Sequence, residues 1–209
     1  MSLHNNDTTR MIDELLHLQD EFYISSRKNI FFKKNQKLKC AQSISDSYSI
    51  SALVEHTCYL IPGSKNKIFF DYRVFKLYAT PENYKDVIIR VMSLLDSAIS
   101  TTGSYEFHIN LTMFSATAAE RYKSIVELFC RECINSHTLY SELLVNFYAY
   151  NTPSMIDMVT TILKRWTPPI IQSKLVLYHK NESVNKLSVL MSSSDIEGES
   201  KRHQSISSA

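Results

Sequence analysis

Few residues in this chain combine the types and spacing that site chemistry requires. Cys130 and Cys133 are separated by two residues, and His137 follows four residues later. A structural zinc site needs four ligands, and the sequence has no second pair at metal-binding spacing. A redox-active pair is usually placed at a helix N-terminus, whereas these cysteines fall within a predicted helix, on its apolar face. We therefore interpret both cysteines as core residues.

Motifs for catalysis and nucleotide binding are missing. The chain has only 3 glycines, so the G-x-G-x-x-G fingerprint and the P-loop cannot be written anywhere in it. The H-E-x-x-H and G-x-S-x-G motifs do not occur either. His108 lies in an apolar strand pattern, where it either faces a cavity or packs as a hydrogen-bonded core residue. No constellation supports an enzyme, and we expect no cofactor and no metal.

Length and composition predict one globular domain with terminal extensions. A chain of 209 residues, 44% of them hydrophobic, can bury a core without disulfides or metal. Its 4 cysteines suit a reducing compartment. The net charge of +2 gives no overall attraction to nucleic acid. No apolar run reaches the ~18 residues of a membrane span, and the first residues lack a signal-peptide profile. We expect a cytoplasmic protein without a nucleic-acid partner.

The region 1–45 is predicted to be one helix followed by a basic segment. Apolar residues recur at helical spacing from Met11 to Phe22, and no acidic residue lies between Phe22 and Ser45. The basic segment is either a solvated surface or a contact for anionic lipid headgroups. The predicted membrane contacts are Lys28, Phe31, Phe32, Lys33 and Lys34.

Strand and helix patterns alternate in region 46–180. Two extended runs, 52–61 and 67–79, flank a Pro-Gly turn and predict two strands. Three strand-then-helix units follow, and their first two helices are predicted to begin at the N-caps Thr80 and Thr117. Right-handed crossovers between neighbouring strands then predict an α/β fold with a mostly parallel sheet.

The third unit begins with the apolar run 143–150, which predicts a strand buried on both faces. Tyr148 and Tyr150 share one face of it, where they either fill the core or place hydroxyls at the mouth of a cavity. A helix with a wide apolar stripe follows, and then a last strand at 174–179. We expect the polar region 181–209 to be a disordered tail.

The stretch 140–178 resembles the Sec14-like, or CRAL-TRIO, lipid-binding domain. It follows the family order of a Tyr-Pro-Glu turn, an apolar strand, an Asn-Ala-Pro corner, a mobile helix, a Lys-Pro-Phe-Leu run, and then a proline and a Lys-Ile pair that opens the last strand, with Ser141 in place of the first proline. The matching residues here are Tyr140, Glu142, Asn151, Pro153, Lys164, Arg165, Trp166, Pro169 and Lys174. The resemblance implies a sheet floor beneath a hydrophobic pocket, covered by a movable gate helix.

The resemblance also assigns roles to single residues. The helix after Pro153 takes the place of the gate, and its methionines suit a surface that changes partners; an ordinary sheet-covering helix is the alternative. Glu142 and Lys174 take the places of headgroup ligands in phosphatidylinositol-binding members, and Ser115 and Thr117 those of hydroxyls that contact choline. The predicted lipid-binding residues are Ser115, Thr117, Glu142, Tyr148, Tyr150, Met155, Met158, Val159, Ile162 and Lys174.

The function implied is the binding or transfer of a phospholipid or phosphoinositide by a protein that associates peripherally with anionic membranes. The alternative is a protein-interaction module of the same fold, an adaptor for small GTPases or other proteins. Asn110 and Met113 favour that alternative, because they replace the Asp and Gly of the family's strand-end motif.

Overall fold

The computed structural model describes residues 3–26, 33–153 and 169–204. In chain order the elements are α1 (Leu3–Ser25), α2 (Lys33–Ser47), α3 (Ile50–Thr57), β1 (Cys58–Leu60), β2 (Lys67–Asp71), α4 (Tyr72–Tyr78), α5 (Tyr84–Thr102), β3 (Tyr105–Asn110), α6 (Ala116–Arg121), α7 (Lys123–Asn135), α8 (Tyr140–Leu143), β4 (Leu144–Thr152), α9 (Pro169–Ser173), β5 (Leu175–His179) and α10 (Lys180–Gln204).

The sheet has the order β1-β2-β3-β4-β5. The β1 strand is antiparallel to β2, and the neighbours from β2 to β5 are all parallel. The α4 and α5 helices connect β2 to β3, and the α6, α7 and α8 helices connect β3 to β4. This arrangement confirms the predicted α/β fold with a mostly parallel sheet.

The two faces of the sheet are covered by different helices. Ile68 of β2 packs in one cluster with Leu95 of α5, whereas its neighbour Phe69 packs with Leu187 of α10. Successive strand residues point to opposite faces, so the two clusters lie on opposite sides of the sheet. We call them the crossover face, which α5 covers, and the α10 face.

The N-terminal helices extend the core on the side of β2. Leu15 of α1, Ile44 of α2 and Leu53 of α3 are fully or almost fully buried, in one cluster with Phe75 of α4. The helix predicted from Met11 to Phe22 is confirmed and is longer than expected at both ends.

Two predicted strands are largely helical. Run 52–61 forms most of α3 and only the short strand β1, and run 67–79 forms β2 and then α4. The reason is a helix N-terminus within the second run: Asp71 accepts hydrogen bonds from the backbone N–H of Arg73 at 2.9 Å and from its guanidinium. Burial after Asp71 then has helical spacing, at positions 74, 75, 77 and 78.

Both predicted N-caps are displaced. Asn83 is the N-cap of α5, and its Oδ1 accepts a hydrogen bond from the backbone N–H of Thr80 at 3.0 Å, so Thr80 begins the preceding turn. Ser115 caps α6, because its hydroxyl accepts from the N–H of Ala118 at 3.3 Å. Thr117 therefore lies inside the first turn of α6.

The prediction that β4 is buried on both faces is wrong for its first half. Leu144, Ala149 and Tyr150 are buried, but Val145 is 44% exposed and Phe147 is half-buried. The side chains in the first half of β4 are therefore only partly covered by the rest of the protein.

The C-terminal region differs from the expected disordered tail, because α10 extends from Lys180 to Gln204. Leu187, Leu190 and Met191 of α10 pack against the α10 face of β1 and β2. Ser183 is fully buried, and its hydroxyl accepts a hydrogen bond from the N–H of Asn151 at 2.7 Å. The apolar spacing of 187, 190 and 191 was the helical signal within this polar stretch.

Replacing Leu187 with Asp should destabilise the protein by about 2 kcal/mol, because it places a charge against apolar side chains of the sheet. Val184→Asp is the matched control on the same helix, since Val184 is 65% exposed. Urea unfolding of both variants measures the difference. Equal stability of the two variants would show that α10 does not contribute to the folded domain.

Candidate functional site

Several predicted site residues lie outside the described residues. These are the gate-helix residues Met155, Met158, Val159 and Ile162, and the predicted membrane contacts Lys28, Phe31 and Phe32. Lys33 and Lys34 begin α2.

Ser115 and Thr117 are exposed at the C-terminal edge of the parallel strands, just after the end of β3. The Ser115 hydroxyl uses a lone pair to cap α6. Its hydrogen therefore stays available to a ligand. Both hydroxyls can contact a phosphate or another polar group at this edge.

Lys174 lies at the opposite, N-terminal edge and already has several partners. Its ammonium group donates to the backbone carbonyl oxygens of Ser141 at 3.0 Å, Glu142 at 2.9 Å and Leu144. A lysine has three donor hydrogens, so these three contacts saturate it. In this structure Lys174 joins the end of α8 and the start of β4 to β5.

The predicted headgroup residues thus form two separate groups. Glu142 is exposed near Lys174, at the start of β4, whereas Ser115 and Thr117 follow the end of β3. The length of β3 alone separates the two edges by about 16 Å. One small headgroup cannot contact both groups.

Tyr148 and Tyr150 lie on the α10 face. They stack with His108 of β3 and Tyr178 of β5: the ring centroids of His108 and Tyr148 are 4.8 Å apart, and those of Tyr150 and Tyr178 are 5.4 Å apart. Lys186 of α10 lies 5.5 Å from the centroid of Tyr178. The two tyrosines therefore belong to an aromatic layer beneath α10, on the side of the sheet opposite α5.

His108 is a buried residue with both ring nitrogens hydrogen-bonded. Nε2 lies 3.3 Å from Oε2 of Glu106, and Nδ1 lies 3.0 Å from the Tyr150 hydroxyl. An ionised carboxylate only accepts, so Nε2 carries the hydrogen and Nδ1 accepts from Tyr150. Of the two interpretations of His108, the structure supports the hydrogen-bonded core residue.

The crossover face carries a half-buried apolar surface that the sequence interpretation did not identify. Its members come from β3, β4, β5 and α7, and we call them the apolar wall: Phe107, Ile109, Phe147, Leu175, Leu177, Leu128, Phe129 and Cys133. Phe107 and Phe147 meet edge to face with ring centroids 5.3 Å apart. Phe147 directly precedes Tyr148 in β4. The predicted lipid-binding residues Tyr148 and Tyr150 therefore face the side of the sheet opposite this surface.

Cys130 and Cys133 have the properties of packed thiols. Both are half-buried, and burial, with a smaller contribution from Cys130, raises the pKa of Cys133 to about 12. A thiol with so high a pKa is protonated at neutral pH and is therefore a poor nucleophile. No metal-binding group of side chains occurs within the described ranges.

Open grooves of about 300 and 400 Å³ lie along α1. The first is lined by the apolar residues Leu18, Phe22 and Ile44 and by the polar residues Glu21, Ser25, Ser43 and Ser47. Neither groove includes a predicted lipid-binding residue. Among residues 3–26, 33–153 and 169–204, no helix is both long and apolar enough to cross a membrane.

Replacing His108 with Phe should make the free energy of unfolding less dependent on pH. Burial, with a smaller effect of Lys67, lowers the pKa of His108 from 6.5 to about 3. Below pH 6.5 the unfolded chain binds a proton that the folded protein does not, so His108 reduces stability by up to about 1.4 kcal/mol per pH unit, and this loss ends near pH 3.

Urea unfolding at a series of pH values between 7 and 4 measures this slope. His137→Phe is the control, because His137 is exposed. The absolute stability of His108→Phe also reflects its lost hydrogen bonds, so only the slope is diagnostic. An unchanged slope in His108→Phe would contradict the buried neutral state.

Replacing Lys174 with Met should destabilise the protein by about 2 kcal/mol, because it removes donors from three backbone carbonyls. Lys180→Met, at an exposed lysine of α10, should change stability by less than about 0.5 kcal/mol. Thermal or urea unfolding compares the two. A Lys174 that served only to bind a ligand would give equal values for both variants in the absence of ligand.

Comparisons with known proteins agree with this architecture. Residues 87–200, more than half of the chain, match the family model of the CRAL/TRIO domain. Among solved proteins, the crystal structure of Sfh5 superposes with a TM-score of 0.50 at 15% sequence identity; the alignment covers 70% of this chain and 55% of that one, so this chain spans about half the length of Sfh5. At this identity Sfh5 shows the fold alone. No curated protein matches the sequence. The resemblance in residues 140–178 is thereby confirmed, and this chain belongs to the CRAL/TRIO domain family.

Proposed function

We propose that the chain binds a phospholipid or phosphoinositide through the crossover face of its sheet. CRAL/TRIO domains bind small hydrophobic molecules such as lipids, and they are binding and transfer proteins. The observation that carries the proposal is the apolar wall. Its side chains from three strands and α7 remain half-buried, although they are aliphatic and aromatic. A fatty acyl chain is the ligand that such a surface suits.

The strand topology also favours the crossover face as the side that binds the ligand. The β4 and β5 strands are parallel neighbours, and connections between such strands are right-handed in nearly all proteins. We propose that the connection between them covers the apolar wall as a gate helix. Its apolar residues Met155, Met158, Val159 and Ile162 are the proposed acyl-chain contacts.

Burial of the acyl chain supplies the binding free energy. Each buried methylene contributes about 0.8 kcal/mol, so a long chain offsets the cost of opening the protein. The apolar wall contains no charged side chain, which suits an acyl chain and gives no selectivity among headgroups. Tyr148 and Tyr150 are not part of the proposed site, because they face α10.

The headgroup is proposed to lie at the C-terminal edge of the strands, near Ser115 and Thr117. Both hydroxyls are exposed there. Lys174 is the weaker candidate because its donors are saturated by backbone carbonyls. Glu142 has an exposed side chain, but it lies at the same edge as Lys174.

Peripheral attachment to anionic membranes is proposed through the basic segment that leads into α2. The predicted contacts Lys28, Phe31 and Phe32 come just before it in the sequence, and Lys33 and Lys34 begin the helix. Each basic residue near an anionic surface contributes about 1 kcal/mol.

Mass spectrometry of lipids extracted from the purified protein tests the proposal. We expect one acyl-chain ligand per chain, strongly reduced in Phe147→Ser. Tyr148→Ser is the matched control, because it changes the neighbouring residue on the opposite face. Circular dichroism confirms that both variants fold. Wild-type protein that is empty and takes up no fluorescent phospholipid would overturn the proposal.

A protein-interaction module is the second candidate, and exposed apolar residues favour it. Ile134 at the end of α7 is 76% exposed, Leu139 before α8 is 61% exposed, and Val145 at the start of β4 is 44% exposed. They lie close together in the chain, near the N-terminal edge of the sheet. This alternative is a module without a bound lipid, so the same extraction would find none.

A further inference from the structure

A methionine is held in an unusual position at the C-terminal edge of the strands. Met113 is 78% exposed in the turn between β3 and α6. Its φ angle is 65°, a left-handed conformation that Gly and Asn adopt more readily than Met. An exposed apolar side chain in this conformation contributes little to folding.

The turn that carries Met113 is rigidly attached to the core. The Asn110 side-chain oxygen accepts from the N–H of Thr112 at 3.2 Å and from its hydroxyl at 2.7 Å. The N–H of Leu111 donates to the carbonyl of Tyr150 at 2.9 Å. Phe114 packs edge to face on Tyr72, with ring centroids 5.0 Å apart. Met113 is therefore presented outward by a fixed support.

Two lysines lie near this tip. Nζ of Lys76 lies 3.3 Å from the sulfur of Met113. Burial lowers the pKa of Lys76, and the positive charges of Arg73 and Lys37 lower it further although Asp71 opposes them. Arg73 is paired with the Asp71 carboxylate, so Lys37 is the second cation near this tip. The α2 helix, to which Lys37 belongs, begins with Lys33 and Lys34 and has no acidic residue before position 46.

We propose that Met113, Lys76 and Lys37 form a docking surface for an anionic membrane, with Met113 inserted at the boundary between headgroups and acyl chains. An anionic bilayer has negatively charged headgroups and, at the depth of one side chain below them, an apolar layer. The lysines would contact the headgroups, and the exposed Met113 side chain would reach the apolar layer. A nucleic acid or a soluble anion would not use Met113. The proposal is independent of whether a lipid occupies the apolar wall.

This surface lies beside the proposed headgroup position. Ser115 and Thr117 follow Met113 within four residues and are exposed at the same edge. A protein docked through Met113 would therefore turn this edge of the sheet toward the bilayer. Lys37 of α2 would face the same surface, because its charge acts on Lys76.

Co-sedimentation of the full chain with phospholipid vesicles tests the proposal. We expect binding to phosphatidylcholine vesicles with about one third phosphatidylserine, weakened by salt and weaker still on phosphatidylcholine alone. The double variant Lys37→Gln/Lys76→Gln should weaken binding about 25-fold, roughly fivefold for each lysine. Met113→Asn should weaken it about tenfold through loss of apolar burial. Because Asn accepts the left-handed conformation, this variant should remain folded.

Matched controls separate this surface from general charge and hydrophobicity. The control Lys65→Gln/Arg131→Gln removes the same charge from two exposed residues. Lys65 lies just before β2 and Arg131 lies near the end of α7, both toward the opposite edge of the sheet. Leu139→Asn removes another exposed apolar side chain. Both controls should bind as the wild type does. Wild-type protein that does not bind anionic vesicles, or variants at positions 37, 76 and 113 that bind like the controls, would overturn the proposal, whatever lipid the protein carries inside.

Discussion

The parallel pairing of β2 to β5 is the constraint on which the other features of this protein depend. Parallel neighbours require long connections, and those connections are right-handed, so the helices between the strands collect on one face. The helix α10 follows the last strand and is free of this rule, and it packs on the other face. Each strand side chain therefore faces either a connecting helix or α10, according to its parity in the strand.

This division separates two kinds of surface that look alike in the sequence. On the α10 face, aromatic rings of three strands stack on one another, and the buried His108 has both nitrogens hydrogen-bonded. On the crossover face, Phe107, Phe147 and Leu177 remain half-buried. The first surface carries polar groups that hydrogen-bond to one another, although its Tyr148 and Tyr178 are also half-buried. The second still has apolar area to bury, which is why the proposed ligand belongs there.

The sequence predicted the alternation of strands and helices well, because the periodicity of α5, α7 and the parallel strands is strong. The sequence-based prediction was wrong where residues typical of strands follow a residue that caps a helix. Residues 72–78 are rich in aromatic and branched side chains, yet the Asp71 cap begins a helix there. The side of Tyr148 was undecidable from sequence, because alternation shows that neighbours differ in face but not which face the crossover helices cover. Lys174 matched a family ligand by position, and its three carbonyl partners come from residues about thirty positions away.

The buried hydroxyl of Ser183 joins two parts of the protein that the sequence keeps far apart. It accepts a hydrogen bond from the N–H of Asn151. The φ of 53° at Asn151 marks the bend at the end of β4, two residues before Pro153. The first turn of α10 thus holds the backbone at the point where the chain leaves the sheet. A force that peeled α10 away would release this bend, so the Ser183 side chain mechanically couples the C-terminal helix to the exit from β4.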